Sequence, residues 1–446
     1  MAVTQPDPKN FNAYCGYHQT GDGEPLYELT QTDPGTPCGE YLRRYWHPVH
    51  ITSEVGDKPK LIKVLGEELV LFRDKSGQYG LVHKKCPHRR ASLEYGHCDT
   101  RGIRCCYHGW LFDVDGTILD VPGEAEDSRS SIRVKNKLRL GAYPVKEFKG
   151  LLFAYLGPPE EIPPFPLYDS FDIPGMTMTP YAAPFACNWI QVLDAIVDPV
   201  HTAFLHQGQF SDGFGKMGEI KFYQREVQRF LGTASRRVGD NIWVRVNELI
   251  LPNFTQAGSA FAADGTKERF FGRSAFTRWV VPVDDENCIA FAWGNFGERG
   301  DPHKYNTPEG MQLIEQGELI DRTYEEKQAS PGDVEAVEGM GKISDHSKEN
   351  LIYGDRGVGL YRNQIRKFCR ALQEGTAPPQ PTELSATVIN TYGSDNVVTR
   401  PAPDDETADT ELLRRTNDEV MEILFAGDAL SGAERDEQII DQLKKL

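Results

Sequence analysis

Cys86-Pro87-His88 and Cys105-Cys106-Tyr107-His108 put a thiol and an imidazole on each of two short stretches. Residues 89–104 separate them, and Arg89-Arg90 and Gly109-Trp110 follow them. Two thiolates and two imidazoles can hold either a structural zinc ion or a two-iron two-sulfur cluster. In such a cluster, histidines on one iron raise the reduction potential above that of an all-cysteine cluster. Zinc sites with this donor set usually keep the cysteines together and the histidines together, so the alternation here favours the cluster. The second stretch is ambiguous by itself, because Cys106-Tyr107-His108 also reads Cys-x-His and either Cys105 or Cys106 could donate.

A second constellation lies between Asn188 and His206. Asp198 precedes His201 by three residues, His206 follows His201 by five, and Asp194 stands one turn before Asp198. On an unbroken helix five residues turn through about 500°, which leaves the two histidines about 140° apart. They converge only if the helix breaks or widens, and Pro199 or a wide turn near Thr202 can supply that. Two imidazoles and a carboxylate on one face of an iron ion leave its other positions open for dioxygen and substrate. Alone, the segment reads equally well as core histidines or a helix cap.

Taken together, Cys86-x-His88, Cys105-x-x-His108-Gly109-Trp110 and Asp198-x-x-His201-x-x-x-x-His206 resemble the motifs of Rieske non-heme iron oxygenases. The stretch from Pro34 to Pro48 resembles the entry of the phthalate dioxygenase-like branch, and the likeness spans residues 26–375. The resemblance implies a 2Fe-2S cluster with Cys86 and Cys105 on one iron and His88 and His108 on the other. Cys106 departs from the pattern, since the family commonly has proline there, and the family spacing selects Cys105. It also implies a mononuclear Fe(II) held by His201, His206 and a carboxylate from a later helix. Asp333, in Gly332-Asp333-Val334-Glu335-Ala336, is the choice, and Asp355, in Gly354-Asp355-Arg356, is the runner-up. Asp198 becomes the catalytic bridge between centres, hydrogen-bonded to His108 of a neighbouring subunit.

The implied activity is that of a terminal oxygenase (alpha) component. It activates O2 to hydroxylate or oxidatively O-demethylate an aromatic, often carboxylated, substrate in aromatic catabolism. Electrons would come from NAD(P)H through a separate reductase, with or without a ferredoxin, and the subunits would form a head-to-tail homotrimer or a multiple of it. Two other classes compete: a Rieske electron-transfer protein without oxygenase chemistry, and a structural zinc module. The carrier would leave Asp198, His201, His206 and Asp333 without a joint purpose. Arg225, Arg229, Arg236, Arg237, Arg245 and Arg269 are candidate anchors for an anionic substrate, and nothing in the sequence separates them.

Composition narrows the setting. Forty-nine basic against 66 acidic residues, a net charge of -17, argue against nucleic acid or an anionic membrane surface as partner. Nine cysteines, odd in number and scattered, make a poor disulfide framework and predict reduced thiols in a cytoplasmic protein. The first thirty residues have no apolar signal core, and no run approaches the roughly 18 apolar residues of a membrane span. No Gly-rich dinucleotide fingerprint follows a strand, so a partner is expected to bind the NAD(P)H or flavin.

The elements that must position these groups read as an α+β chain. A small antiparallel β Rieske domain precedes a larger catalytic domain whose antiparallel sheet is covered by helices, a helix-grip-like arrangement. The expected division is an arm and short helix at 1–45, the Rieske domain at 46–160, the catalytic domain at 161–400 and a charged tail at 401–446. Short β-branched runs at 61–65, 68–72 and 80–82 predict strands in the first domain. A helix between Gly39 and His47 should end before Pro48, and 158–166 reads as a linker. Strands are expected at 222–230, 242–251, 270–283 and 288–293, and helices at 309–328, 333–341 and 357–373. The tail should be helical in its second half and either pack on a neighbour or stay mobile.

Overall fold

Two tight hairpins show how the first half of the chain is laid down. Leu65-Gly66 (φ 49° and 78°) and Lys149-Gly150 (φ 48° and 83°) each put two consecutive residues in the left-handed region. That is the turn whose twist matches a right-twisted strand pair. The first joins Lys60–Val64 to Glu67–Arg73 and the second joins Val145–Phe148 to Leu151–Tyr155. The computed structural model describes residues 13–206, 216–258, 270–297, 299, 321–385 and 387–446.

These strands belong to small antiparallel sheets. One has the order Trp46–Ile51, Leu151–Tyr155, Val145–Phe148, and another runs from Lys60–Val64 through Glu67–Arg73 and Tyr79–His83 to Ala142–Tyr143. A third, of four very short strands between His97 and Asp120, carries the second Cys/His loop. Its core is a separate cluster that includes Val70, Phe72, Val82, Ile103, Phe112 and Ile118. Leu151–Tyr155 is buried throughout and shares the main core with the second half of the molecule. Both hairpin tips dock there: Leu65 and Gly66 N–H donate to Pro282 and Val283 carbonyls, and Trp293 Nε1 donates to Lys149 O at 2.9 Å.

The second half is built on an eight-stranded antiparallel sheet. Its order is Met176–Phe185, Asn287–Gly297, Phe271–Asp284, Phe254–Gly258, Asn241–Ile250, Arg229–Val238, Met217–Arg225. The short strand Phe254–Gly258 fills only part of its slot. Ser394–Thr399, which the sequence reading missed, completes the slot by pairing with both neighbours. Alternation assigns the two faces. Ile242, Val244 and Val246 meet Leu413, Val420 and Leu424 of the helix Glu406–Ala426, while Asn247 reaches the helix Trp189–Ile196 on the other side.

Several expectations need correction. Residues 222–230 are not one strand but the turn of a hairpin, Met217–Arg225 and Arg229–Val238. Glu226 adopts φ 47° there without a glycine to announce it. The helix before Pro48 is Pro37–Leu42, capped by Thr36, and Pro48 lies inside a strand. The tail is two helices, Glu406–Ala426 and Gly432–Leu443, packed on the chain's own sheet. They are tied down by buried pairs such as Arg273 with Asp436. Of the helix expected at 309–328, residues 309–320 lie outside the described residues, and Tyr324–Ala329 is helical. The helix expected at 333–341 runs Asp333–Glu338, and the one at 357–373 runs Arg356–Gln373, with Phe368 stacked on Tyr41 at 6.0 Å. Among the described residues no helix is long and apolar enough to cross a membrane.

Candidate metal centres

The two Cys/His loops share one backbone design. Cys86 N–H donates to Ala91 O and Cys105 N–H to Trp110 O. Arg90 N–H returns to Cys86 O, and Gly109 N–H to Cys105 O. Each loop turns through the left-handed region at the same position, Arg90 (φ 63°) and Gly109 (φ 72°). The equivalence places Cys105 opposite Cys86, both buried at 3% and 1% exposure, and places the exposed Cys106 opposite Pro87.

Side chains follow the same division. The two thiols lie within hydrogen-bonding reach, and burial with Cys105 alongside pushes the Cys86 thiol up to about 11, so it needs a cation to become a thiolate at neutral pH. The imidazoles face outward: His88 is exposed, His108 is half-buried, and their rings meet edge to face at 4.5 Å. Trp110 stacks flat on His88 at 4.6 Å, and Arg104 braces the second loop by donating to Gly109 O at 2.7 Å. Two sulfurs inside and two ring nitrogens at the surface suit a cluster that exchanges electrons through its histidines.

The second constellation depends on a broken helix. Trp189–Ile196 starts at Asn188, whose side chain accepts from Ile190 N–H, and stops before Pro199, which has no N–H to continue the ladder. The break frees carbonyls that the sheet takes up. Asn247 Nδ2 donates to Ile196 O at 2.9 Å, and Arg236 donates to Pro199 O at 3.0 Å and to Thr202 Oγ1. Asp198 starts the next helical turn, His201–Phe204, by accepting from Val200 N–H at 2.7 Å and His201 N–H at 3.3 Å. His201 Nδ1 lies 2.7 Å from Asp198 O, so its proton belongs there and Nε2 is left to bind a metal.

That turn ends at Phe204, so His206 leaves the helical path and its ring comes within 5.4 Å of the His201 ring. Asp333 arrives from the first residue of Asp333–Glu338. One of its oxygens lies 3.6 Å from His201 Nε2 and 3.4 Å from His206 Nε2. Donor atoms of all three residues fall within 4.8 Å of one another. Neighbouring donors on one ion at about 2.1 Å are roughly 3 Å apart, so the set fits one face of an iron ion. Burial raises the Asp333 carboxyl, but His206, His201 and Arg278 outweigh it and hold the group well below the usual carboxylate range.

The other acids go elsewhere. Asp355 accepts from Ile352 N–H at 2.8 Å and is no part of the triad. Asp194 is taken by Tyr361 and Arg362. Asp198 makes no hydrogen bond to His108 of its own chain among the described residues; its partners are local. Burial raises its carboxyl, and His201 with two backbone N–H groups brings it below the ordinary value. Sequence reasoning missed Asn247 and Arg278. Both lie on strands, where only the register decides which way a side chain points, so no motif marks them.

Comparison with known proteins gives the family. The model of the Rieske [2Fe-2S] domain matches residues 45–148. The chain is similar to the oxygenase subunit of tert-butanol monooxygenase / tert-amyl alcohol desaturase from Aquincola tertiaricarbonis, 38% identical over 94% of this chain and 92% of that one. It is also similar to the phenoxybenzoate dioxygenase subunit alpha of Ectopseudomonas oleovorans, 36% identical over 81% of this chain and 88% of that one. Among solved structures, dicamba monooxygenase bound to 3,6-dichlorosalicylic acid shares the fold. Its TM-score is 0.58 at 18% identity, covering 75% of this chain and 99% of that one. Likeness that runs through both constellations removes the zinc module and the simple electron carrier. The chain belongs to the Rieske non-heme iron oxygenases, as an oxygenase subunit whose cofactors are a 2Fe-2S cluster and a mononuclear iron.

Proposed function

We propose that Cys86, His88, Cys105 and His108 hold the cluster and that His201, His206 and Asp333 hold the iron, with Asp198 as the bridge between centres. The observation that carries this reading is the meeting of three donors, from 201–206 and 333, within 4.8 Å at a helix break. With both groups bound, the cluster supplies electrons singly and the iron supplies the place where dioxygen is activated. The chain's own part is positional. Asp198 O orients His201, the sheet holds the broken helix, and the Asp198 carboxylate lies 3.5 Å from His201 Nδ1 with about a quarter of its side chain exposed. The reading keeps 46–160 as the cluster domain and 161–400 as the catalytic domain.

The reaction is hydroxylation or oxidative O-demethylation of an aromatic, often carboxylated, substrate, with electrons from NAD(P)H through a reductase in the cytoplasm. A compact tertiary alcohol is the second reading, favoured by the 38% identity to the tert-butanol monooxygenase subunit. Head-to-tail assembly as a homotrimer brings His108 of one subunit to Asp198 of the next. Exposed apolar side chains support docking at both ends. Phe204 (73% exposed) and Ile352 (74%) lie on the iron side, and Tyr107 (56%) lies beside the cluster loops.

The test is iron, zinc and acid-labile sulfide per chain on anaerobically purified protein, with the paramagnetic resonance spectrum after dithionite. About three irons and two sulfides with a Rieske signal are expected. His201→Ala should lose one iron and keep that signal; loss of the cluster in the same variant sinks the assignment.

A further inference from the structure

Of the arginine candidates, Arg269 lies outside the described residues, and Arg236 goes to the helix break at Pro199. The break is held by more than that arginine. Phe222, Gly232 and Asn247 stand directly opposite one another on three neighbouring strands, so they share one row of the sheet. Asn247 donates to Ile196 O. At Gly232 the row has no side chain, and the broken helix passes close over it: a Cβ there would lie 3.1 Å from Val197 O and 3.4 Å from Pro199 Cγ.

A second close approach comes from the first turn of the helix Arg356–Gln373. A Cβ on Gly357 would lie 3.1 Å from the same Val197 O and 2.5 Å from Cε1 of the Phe222 ring. One turn further on, Tyr361 and Arg362 donate to Asp194, on the helix that precedes the break. Neither Gly232 nor Gly357 has a positive φ, and glycine weakens strands and helices alike. Space, not backbone conformation, is what the two positions supply. Val197 O belongs to the peptide bond that leads into Asp198, and the Asp198 carboxylate is tied to the same turn by Val200 and His201 N–H. The seat of that peptide therefore sets the place of the carboxylate.

We infer that Gly357, Phe222 and Gly232 are positioning residues for Asp198. The sheet row and the start of the helix Arg356–Gln373 grip the peptide before it, and so aim the carboxylate that bridges to the cluster of the next subunit. This rests on the proposed bridge and adds the residues that place it.

The experiment is a redox titration of the assembled, iron-replete protein followed by the cluster spectrum, with metal content and mass read on the same samples. A carboxylate beside a cluster histidine stabilises the oxidised cluster. Asp198→Asn should therefore lower the oxidised-to-reduced ratio at a fixed potential by about tenfold, or about 59 mV. Gly357→Ala is expected to shift the ratio the same way by about threefold or more, because its methyl group meets both the Phe222 ring and Val197 O. Phe222→Leu removes the ring edge, so the double variant should regain at least half of that shift, whereas a general loosening would be deepened by a second substitution. Gly232→Ala, whose tightest contact is 3.1 Å, should give a smaller shift of the same sign, and it decides alone if Gly357→Ala does not assemble. A ratio unchanged in both glycine variants while Asp198→Asn shifts, or a shift that Phe222→Leu deepens, overturns the inference. Iron loss from Gly357→Ala with an unchanged ratio also overturns it, since these residues would then serve the iron alone. An unchanged ratio in fully assembled Asp198→Asn defeats the bridge itself, and the inference with it.

Discussion

The cluster loops and the iron triad are two answers to the problem of aiming donors at a metal. The first is local: everything from Cys86 to Trp110 lies in one stretch, the same loop is used twice, and backbone hydrogen bonds close each copy. The second is distributed. His201 and His206 hang from a broken helix, Asp333 comes from a helix far along the chain, and Arg236 and Asn247 brace the break from two strands of the sheet. Their packing differs in the same way. The cluster loops cap a small core of their own, whereas the helix of the triad is embedded in the main core. A local site survives small changes elsewhere, while a distributed site depends on the whole fold.

The comparison can be broken most severely at the cluster. Cys105→Ser should abolish the Rieske signal and acid-labile sulfide outright, whereas Cys106→Ser should keep both. The opposite result would make Cys106 the donor and undo the loop equivalence. Next in size is Asp198→Asn, which should keep both metals but lower turnover by about a hundredfold, a loss of nearly 3 kcal/mol in the barrier term. Single-turnover kinetics from a pre-reduced cluster would check this, and near-normal electron transfer would remove the bridge.

A smaller effect is expected at the braces. Arg236→Met or Asn247→Ala leaves Pro199 O or Ile196 O without its side-chain donor and should weaken iron retention by about tenfold against a chelator. The cluster spectrum should not change; a joint loss would mean the two sites are not separable. The smallest effect concerns stability alone. His47 is fully buried in the strand Trp46–Ile51, with Nε2 2.7 Å from Leu42 O and Nδ1 3.2 Å from Asn253 Nδ2. Burial lowers its pKa to about 4. The folded state therefore takes up its proton less readily than the unfolded chain. Its contribution is complete above about pH 6.5 and shrinks as pH falls toward 4, by roughly 3 kcal/mol at most. Denaturant unfolding against pH should show that acid limb, flattened in His47→Gln. Loss of the cluster spectrum at a higher pH than the rest would show that the small core melts alone.

The reading from sequence was uneven for physical reasons. The candidate cluster donors were legible because a loop that closes on itself fixes its spacing in the chain. The histidine pair was legible as a pair, but the helix break that joins it precedes His201 and a second end follows Phe204. The strands Asn241–Ile250, Phe271–Asp284 and Asn287–Gly297 could be read from their β-rich runs, whereas Phe254–Gly258 was missed. The hairpin at Glu226 and the strand Ser394–Thr399 could not: the first turns without glycine, and the second exists only because Phe254–Gly258 leaves half a slot open. The charged tail looked solvated because its polar faces outnumber the apolar stripe that meets the sheet.

The metal chemistry, the antiparallel α+β class and the candidate donors that lie close along the chain were set by sequence alone, because spacing and periodicity are local properties. Tertiary structure alone decided which distant carboxylate comes to the histidines and which side chains take up the carbonyls freed by the break. Those depend on strand register and helix placement, which are set by the packing of segments far apart along the chain.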